Sequence, residues 1–385
     1  MNSPKMTVGI IGAGLAGILT ARTCIENKIK IAWVLDQEDS ERGSGVPTGL
    51  FHPFPGRSVQ AHPLLEDAVT IATQMFEQWK KQYPKLIRET SIVRPIVGKG
   101  GERLKKSYTK TYIDEAQPIP SWLHISYNQR ANPRFLCDDT AGSIVYSPAF
   151  AIDLAELLSF EREFFSVQHV QERTDRFAYS DKWYVWNHKN PERKWQADVV
   201  ILCLGRGMNE LFPRLQLGEY GGEMLMCDLP AQFEELYSAN GRHIGRHHSG
   251  KYVFGATRWI EKRKPMLHES KQNLIQGIEQ LLPHIKTTES HSIWRGYRAV
   301  YHKDRLPISG RIPNLPNIYT CCALGSKGLL WGTIASQHCI LEIKKHSEQH
   351  QSHNLQNKNI STYLSTQRLP ADRWIWNQDY FSLSK

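Results

Sequence analysis

The hydrophobic pattern at the start of the chain predicts a strand, a helix and a second strand. A β-branched run in "MTVGIIGAGLAGILTART" ends at Gly12, helix-forming residues follow Gly17, and the apolar run "IKIAWVLDQ" comes next. Short continuous apolar runs of this kind are typical of strands buried on both faces of a parallel sheet. The order therefore predicts a βαβ unit.

Helical periodicity is clearest between Leu64 and Trp79, where seven apolar positions recur at helical spacing: Leu65, Ala68, Val69, Ala72, Met75, Phe76 and Trp79. A second helix is predicted within "SPAFAIDLAELLSF", with Ser147 as its cap and Pro148 in its first turn. The apolar spacing predicts a third helix from Leu274 to Leu282.

Elsewhere the pattern favours strands. Residues Arg88 to Ala141 lack sustained helical periodicity and carry short strand-like runs among prolines, as an inserted sheet domain would. The runs "FFSVQHVQE", "KWYVWNHKN" and "QADVVILCLGRG" predict a strand, a hairpin and a buried strand that ends at Gly205. The polar stretch from Lys344 to Asn359 is predicted to be a surface connection to an aromatic tail.

Composition adds that the chain is an ordinary globular protein. It has 385 residues, of which 40% are hydrophobic and 22% charged, and no stretch has the ~18 consecutive apolar residues of a membrane span. The N-terminus lacks the pattern of a secretory signal, so we expect a cytoplasmic protein that does not enter the membrane. The seven cysteines show no metal-ligand spacing, which predicts buried thiols and no metal site.

The charge is more informative, since a formal net charge of +10 attracts nucleic acid, anionic surfaces or acidic ligands. Two basic runs stand out, Arg103 to Lys110 and Glu261 to Lys264. Each is interpreted either as a set of phosphate contacts or as a solvated basic face.

Three glycines and an acidic residue point to a nucleotide. Gly12, Gly14 and Gly17 form the GxGxxG pattern after the first strand, and Asp36 ends the next strand 19 residues beyond Gly17. The glycines allow a tight turn and close approach of a pyrophosphate to the helix N-terminus, and the acid accepts from ribose hydroxyls. The sequence therefore predicts dinucleotide binding here.

A second glycine loop, "CCALGSKGLLWG", lies at Cys321 to Gly332. In a P-loop the lysine follows the last glycine and precedes a Ser or Thr. Here Lys327 precedes Gly328, and Leu329 follows that glycine, so the loop is not a P-loop.

Taken in order, these segments with "FGAT" and "GYRAVYHKDRLPISG" resemble the D-amino-acid oxidase and glycine oxidase family of FAD-dependent oxidoreductases over nearly the whole chain. Within that family, "GLFHPFPGR" and "DRLPISG…ALGSKGLL" are most similar to the oxidoreductase half of the bifunctional enzymes that mature 5-carboxymethylaminomethyl-uridine in tRNA.

The resemblance implies an α/β fold in which a Rossmann-like FAD-binding domain is interleaved with an antiparallel-sheet substrate domain. The FAD-binding domain would comprise 1–87, 142–218 and 292–345, and the substrate domain 88–141 and 219–291, with 346–385 as the connection and tail. The isoalloxazine ring would lie between the loop at residues 43–49 and the helix start at residues 325–328. The implied FAD contacts are Gly12, Gly14, Leu15, Ala16, Gly17, Asp36, Gly49, Val167, Gly205, Gly325, Ser326, Lys327, Gly328 and Leu329.

The resemblance also implies that Arg298 binds the carboxylate of an amino-acid-like amine; an ion pair with Asp304 is the alternative. Lys327, the second candidate catalytic residue, would hold a carboxylate or a phosphate, or face water. His52 and Tyr297 are pocket candidates by position, with an ordinary buried polar role as the alternative.

Three functions stay open at this point. The first is FAD-dependent oxidation of a glycine-like amine, which is either the modified uridine of a tRNA partner or a free amino acid. The second is a flavin-binding protein without amine oxidase activity. The third, a nicotinamide-dependent dehydrogenase, leaves the second glycine loop without a role.

Overall fold

The computed structural model describes residues 6–383 except 38, 55, 57, 61, 129–140, 166–167, 231–234, 240, 261–262, 284–290, 348–357 and 378–379. The chain forms two compact units, each built from separated segments. The first comprises Met1–Ser44, Leu158–Glu219 and Tyr297–Lys385, and the second comprises Gly45–Leu157 and Tyr220–Gly296.

The described strands are β1 (Thr7–Ile11), β2 (Lys30–Asp36), β3 (Gly49–Phe51), β4 (Ile87–Pro95), β5 (His124–Asn128), β6 (Ser143–Ile152), β7 (His169–Gln171), β8 (Arg176–Tyr179), β9 (Trp183–Asn187), β10 (Asn190–Ala197), β11 (Val199–Leu202), β12 (Gly218–Cys227), β13 (Leu236–Ala239), β14 (Arg242–Arg246), β15 (Tyr252–Gly255), β16 (Trp259–Ile260), β17 (His291–Val300), β18 (Ile308–Arg311), β19 (Ile318–Cys322) and β20 (Phe381–Leu383).

The α-helices are α1 (Leu15–Glu26), α2 (Leu65–Gln82), α3 (Gly98–Tyr108), α4 (Leu154–Phe164), α5 (Met208–Leu211), α6 (Leu267–Leu281), α7 (Gly328–Ser347) and α8 (Lys358–Leu364). A π-helical segment, Thr109–Asp114, continues α3. Among the described residues, no helix is both long and apolar enough to cross a membrane.

The first unit is organised around a six-stranded sheet of order β18-β19-β11-β1-β2-β7. All neighbours pair in parallel except β18 and β19. β11 and β19 are buried at every position, as expected of strands covered on both faces. The carboxyl ends of β1 and β11 lie side by side, with Ile11 opposite Leu202, so the loops after both strands meet at one edge.

Helices α1 and α7 pack closely in this unit, because glycine replaces a side chain where they touch. A Cβ on Gly328 would lie 3.0 Å from Leu15, and a Cβ on Gly332 would lie 2.7 Å from Leu19. A smaller sheet of order β10-β9-β8-β20 includes the last strand of the chain. These contacts confirm the mixed α/β class with a Rossmann-like sheet.

The second unit contains a large sheet of order β16-β12-β15-β14-β13-β4-β6-β3, with β5 and β17 as side pairs. β6 pairs antiparallel with β3, β4 and β5, whereas β4 and β13 pair in parallel. Helix α2 buries the predicted stripe, confirming that element with its end moved to Gln82. Helix α6 covers the predicted third helix but begins earlier, at Leu267.

Two sequence-based expectations were wrong. Ser147 and Pro148 do not begin a helix, because they lie inside β6, where pairing with β4 and β5 overrides the local Ser-Pro signal. The stretch from Arg88 to Ala141 contains a helix, α3, in addition to strands. Only Gly101 and Leu104 of α3 are buried, so the stretch carries too few apolar positions to show a helical period.

The two units divide the chain differently from the predicted domains. Residues 45–87 and 142–157 group with the second unit, whereas the sequence placed them with the FAD-binding domain. Which segments bind FAD remains a prediction, since a compact unit is defined by its own contacts and not by a ligand.

Buried His338 makes the stability of the first unit depend on pH. Its Nδ1 lies 2.7 Å from Ser309 Oγ and its Nε2 3.1 Å from Ser361 Oγ. Burial lowers its pKa from 6.5 to about 4, and Glu342 opposes the shift. The unfolded chain therefore binds a proton more readily than the folded one between those values, and stability falls as the pH drops through that window.

We expect the free energy of unfolding to decrease by about 2 kcal/mol between pH 7 and pH 5 on account of this one group. Urea unfolding at both pH values measures the decrease, and His338→Gln, which cannot titrate, should show a correspondingly smaller one. An equal decrease in the variant would contradict the assignment.

Candidate active site

The first glycine loop connects β1 to α1, and two of its glycines are required by close contacts. Gly12 has φ +99°, and a Cβ there would lie 2.5 Å from the carbonyl oxygen of Cys203. A Cβ on Gly17 would lie 1.8 Å from the carbonyl oxygen of Gly12. Any larger residue would push the start of α1 away from the strand.

The N-terminus of α1 is open to an anion. Its cap residue is Gly14, no side chain caps it, and its first turn holds no acidic residue. The first-turn N–H groups, those of Leu15, Ala16 and Gly17, have no acceptor within a helix. They also carry the positive end of the helix dipole. This geometry suits a phosphate group.

Asp36 lies at the end of β2 beside this turn and is nearly buried. Its Oδ1 accepts from the backbone N–H of Ala13 at 2.9 Å, and its Oδ2 accepts from Arg42 Nη1 at 2.8 Å. A carboxylate has about four lone-pair sites, so capacity remains for a further donor such as a hydroxyl.

The second glycine loop follows β19 and opens α7. Ala323 and Gly325 both have positive φ, +57° and +60°, and a 3-10 turn over Gly325–Lys327 leads directly into the helix. No side chain caps this turn. Ser326 is exposed, Gly328 is half-buried and Leu329 is buried.

The end of β17 runs between this loop and the loop after β2. The backbone N–H of Tyr297 donates to the carbonyl of Glu41 at 2.8 Å, and Val300 forms a bridge with Leu324. Half-buried Arg298 lies on this stretch. The first unit thus brings a predicted substrate residue and the second glycine loop together.

A family model for FAD-dependent oxidoreductases, DAO, matches residues 7–339. The chain belongs to this family.

Its fold is similar to that of solved oxidases. Glycine oxidase from Bacillus cereus has a TM-score of 0.72 and 17% identity, and the match covers 95% of this chain and 100% of that one. Glycine oxidase from Geobacillus kaustophilus has a TM-score of 0.69 and 17% identity, covering 93% and 100%. Iminodiacetate oxidase from a Chelativorans species has a TM-score of 0.69 and 16% identity, covering 93% and 99%.

The residues of the first unit fit FAD. Gly12 and Gly17 keep the turn tight, since a Cβ at either would collide with backbone atoms, and the uncapped N-terminus of α1 that follows suits the pyrophosphate of FAD. Gly205, predicted to contact FAD, follows β11 with φ +56°, and a Cβ there would meet nothing within 4 Å. The predicted contacts of individual residues with FAD stay predictions.

Two arginines near the first loop were missed by the sequence analysis. Arg42 is paired with Asp36, and Arg162 on α4 donates to the carbonyl of Ala13 at 3.2 Å. Burial lowers the pKa of Arg162, the charge of Arg42 lowers it further, and Asp36 opposes both. In the sequence, Arg42 is a basic residue in a loop and Arg162 is a basic residue near the end of a predicted helix. Nothing in the sequence indicates that the two lie close together.

Lys327 is a half-buried cation beside the second loop. Burial lowers the pKa of its ammonium, and the neighbouring charge of Arg305 lowers it further. Among the residues that the structure describes, Lys327 has no carboxylate within ion-pair distance. Its charge is therefore available to an anionic ligand.

The remaining predicted residues are placed as follows. Gly49 begins β3 in the second unit, where His52 Nδ1 lies 3.2 Å from the hydroxyl of Tyr146. Tyr297 is buried and lies beneath the guanidinium of Arg206.

Val167 is outside the described residues. The carboxylate of Asp304, offered above as a partner for Arg298, is paired with Arg368 at 3.1 Å.

Asp153, His247 and His248 bring three potential metal-ligand atoms within 4.8 Å of one another in the second unit. Asp153 already accepts from the hydroxyl of Thr48 at 2.8 Å and from the guanidinium of Arg88 at 3.3 Å. A metal ion would have to compete with that arginine for a buried carboxylate. We therefore interpret Asp153 as a buried carboxylate that is paired with Arg88 and stabilises the fold of the second unit.

Proposed function

We propose that this protein oxidises the C–N bond of a glycine-like amine, and that its substrate is the carboxymethylaminomethyl group of a wobble uridine in tRNA. The main support is the cationic environment of the second glycine loop, where half-buried Lys327 lacks a carboxylate partner within the described residues. A carboxylate is the anion that a glycine-like amine brings. The names of glycine oxidase and iminodiacetate oxidase, two proteins of similar fold, agree with this chemistry.

Bound FAD would supply the hydride acceptor, its N5 atom, and a route for two electrons to oxygen or another acceptor. Loss of a hydride from the CH₂ between the neutral nitrogen and the carboxylate would leave an iminium ion, with the N–H proton still on nitrogen. Water would add to the iminium carbon, both of its protons would pass to nitrogen, and the C–N bond would break to release glyoxylate and the aminomethyl product as an ammonium ion.

The chain's own residues would orient this substrate. The planar guanidinium of Arg298 suits a bidentate contact with the carboxylate, and Lys327 adds a point charge. Holding the carboxylate fixes the adjacent CH₂, so positioning supplies much of the rate and a strong side-chain base is not required.

A tRNA substrate agrees with the net charge of +10, because a basic surface attracts the phosphate backbone. A cytoplasmic location would follow from this substrate and stays a prediction. A free amino acid remains the alternative substrate.

The test uses the FAD-loaded protein and tRNA from cells that lack its gene. We expect glyoxylate release and, by mass spectrometry of nucleosides, loss of carboxymethylaminomethyl-uridine with gain of the aminomethyl product. Rapid oxidation of free glycine or sarcosine with unchanged tRNA would favour the small-molecule enzyme. No turnover of any of these amines by protein that retains FAD would favour a non-catalytic flavoprotein.

A further inference from the structure

Helix α3 and the π-helical segment after it carry a cationic stripe, defined here as Lys99, Arg103, Lys106 and Lys110. These positions follow the spacing i, i+4, i+7 and i+11, which places them on one side of a helix. All four are exposed. At a rise of about 1.5 Å per residue the stripe is about 16 Å long.

The opposite side of α3 packs against the protein, so the cationic stripe faces outward. Leu104 is only 1% exposed, and a Cβ on Gly101 would lie 2.8 Å from the backbone of Ile96. The ring of Tyr108 packs toward Tyr127 on β5, with centroids 6.4 Å apart. Since the apolar side is occupied by the protein, rotation of the helix cannot bury the charges.

The stripe is poorly neutralised. Within the described part of the chain, Lys99, Arg103 and Lys106 have no carboxylate at ion-pair distance. Lys110 has a loose, exposed pair with Glu115 at 3.7 Å. The fold holds these cations in a row, where they repel one another. Binding of a polyanion would reduce that repulsion.

A row of cations with successive axial spacings of about 4.5 to 6 Å complements a ligand with regularly repeated charges. A nucleic-acid strand offers such charges as backbone phosphates. A membrane surface is a poorer match, because interfacial helices insert an apolar face and the apolar face of α3 is already packed.

We propose that the cationic stripe of α3 binds the phosphate backbone of RNA. This inference rests on the proposed function, since it assigns to the tRNA substrate a docking surface within the second unit. Its contacts are with phosphates, so the stripe contributes affinity without reading base sequence.

The test compares two triple variants of the FAD-loaded protein. Lys99→Ala, Arg103→Ala and Lys106→Ala together remove three charges from the stripe, and alanine preserves the helix. The matched control, Lys81→Ala, Lys85→Ala and Lys189→Ala, removes three exposed charges elsewhere. Circular dichroism verifies that both variants fold.

We expect the stripe variant to bind tRNA about tenfold or more weakly near 0.1 M salt. The slope of log affinity against log salt should become shallower by about 2, from about 0.7 for each lost phosphate contact. The control should change binding less than threefold, and both variants should oxidise free glycine or sarcosine as the wild type does.

Equal weakening by the two variants, or unchanged binding by the stripe variant, would overturn the stripe alone while tRNA oxidation by the wild type upholds the proposed function. A wild type that oxidises free amines but neither binds nor oxidises tRNA would overturn the tRNA substrate itself. Stripe-dependent binding to phosphatidylserine vesicles without binding to tRNA would assign the stripe to lipid and overturn the RNA proposal.

Discussion

Replacing Gly17 with alanine is expected to yield a protein that purifies almost without FAD. The new Cβ would stand 1.8 Å from the carbonyl oxygen of Gly12, and that atom belongs to the backbone of the same loop. To remove this clash, the start of α1 must move away from β1, which withdraws the first-turn N–H groups from the pyrophosphate position. A displacement of this kind costs about 3 kcal/mol, or about 100-fold in FAD affinity.

Visible flavin absorbance of the purified protein and titration of the apoprotein with FAD measure this effect. Gly56→Ala is the control, because Gly56 is exposed and a Cβ there meets nothing within 4 Å. That variant should bind FAD as the wild type does. Retention of FAD by Gly17→Ala with unchanged affinity would refute the role of the loop.

The Rossmann-like sheet was predictable because its signals are local. β1, β2 and β11 are short apolar runs buried on both faces, and the glycines follow the first of them directly. A pattern that repeats within a few residues needs no knowledge of distant partners.

Elements that depend on distant partners were not predictable. Ser147 and Pro148 carry a helix-start signal, yet both lie inside β6, where Ser147 pairs with β5 and the residues on either side pair with β4. Helix α3 shows the opposite case. It buries only Gly101 and Leu104, so its sequence is nearly all polar and shows no helical period of apolar residues. Tertiary pairing overrides local preference in the first, and scarce burial hides a helix in the second.

The candidate site divides in the same way. Glycines at tight turns were evident from spacing, and Gly12 and Gly325 do have positive φ. The pairing of Arg42 with Asp36 was not evident, since an arginine in a loop carries no periodicity. Likewise, the approach of the second glycine loop to the Arg298 strand depends on a bridge between Val300 and Leu324.

Arg298→Ala is expected to raise KM for carboxylate-bearing amines about 100-fold while FAD stays bound, because hydrogen bonds to a charged group contribute about 1.5 to 3 kcal/mol. Arg298→Lys should recover part of the loss, since a point charge replaces the fork without its bidentate geometry. Steady-state kinetics with glycine, and with methylamine as the matching amine without a carboxylate, measure the effect. Turnover of methylamine should be nearly unchanged.

Lys327→Met in the same assay tests whether the second cation acts on that carboxylate. We expect a smaller rise in KM, about tenfold, because Lys327 offers one flexible contact where Arg298 offers two. If both cations hold one carboxylate, the double variant must lose less than the sum of the single losses, because residues that share a partner are not additive. Strict additivity, or a loss seen with tRNA and absent with glycine, would assign Lys327 to a phosphate and leave Arg298 alone on the carboxylate. A protein that merely carries FAD would show none of these changes in amine turnover.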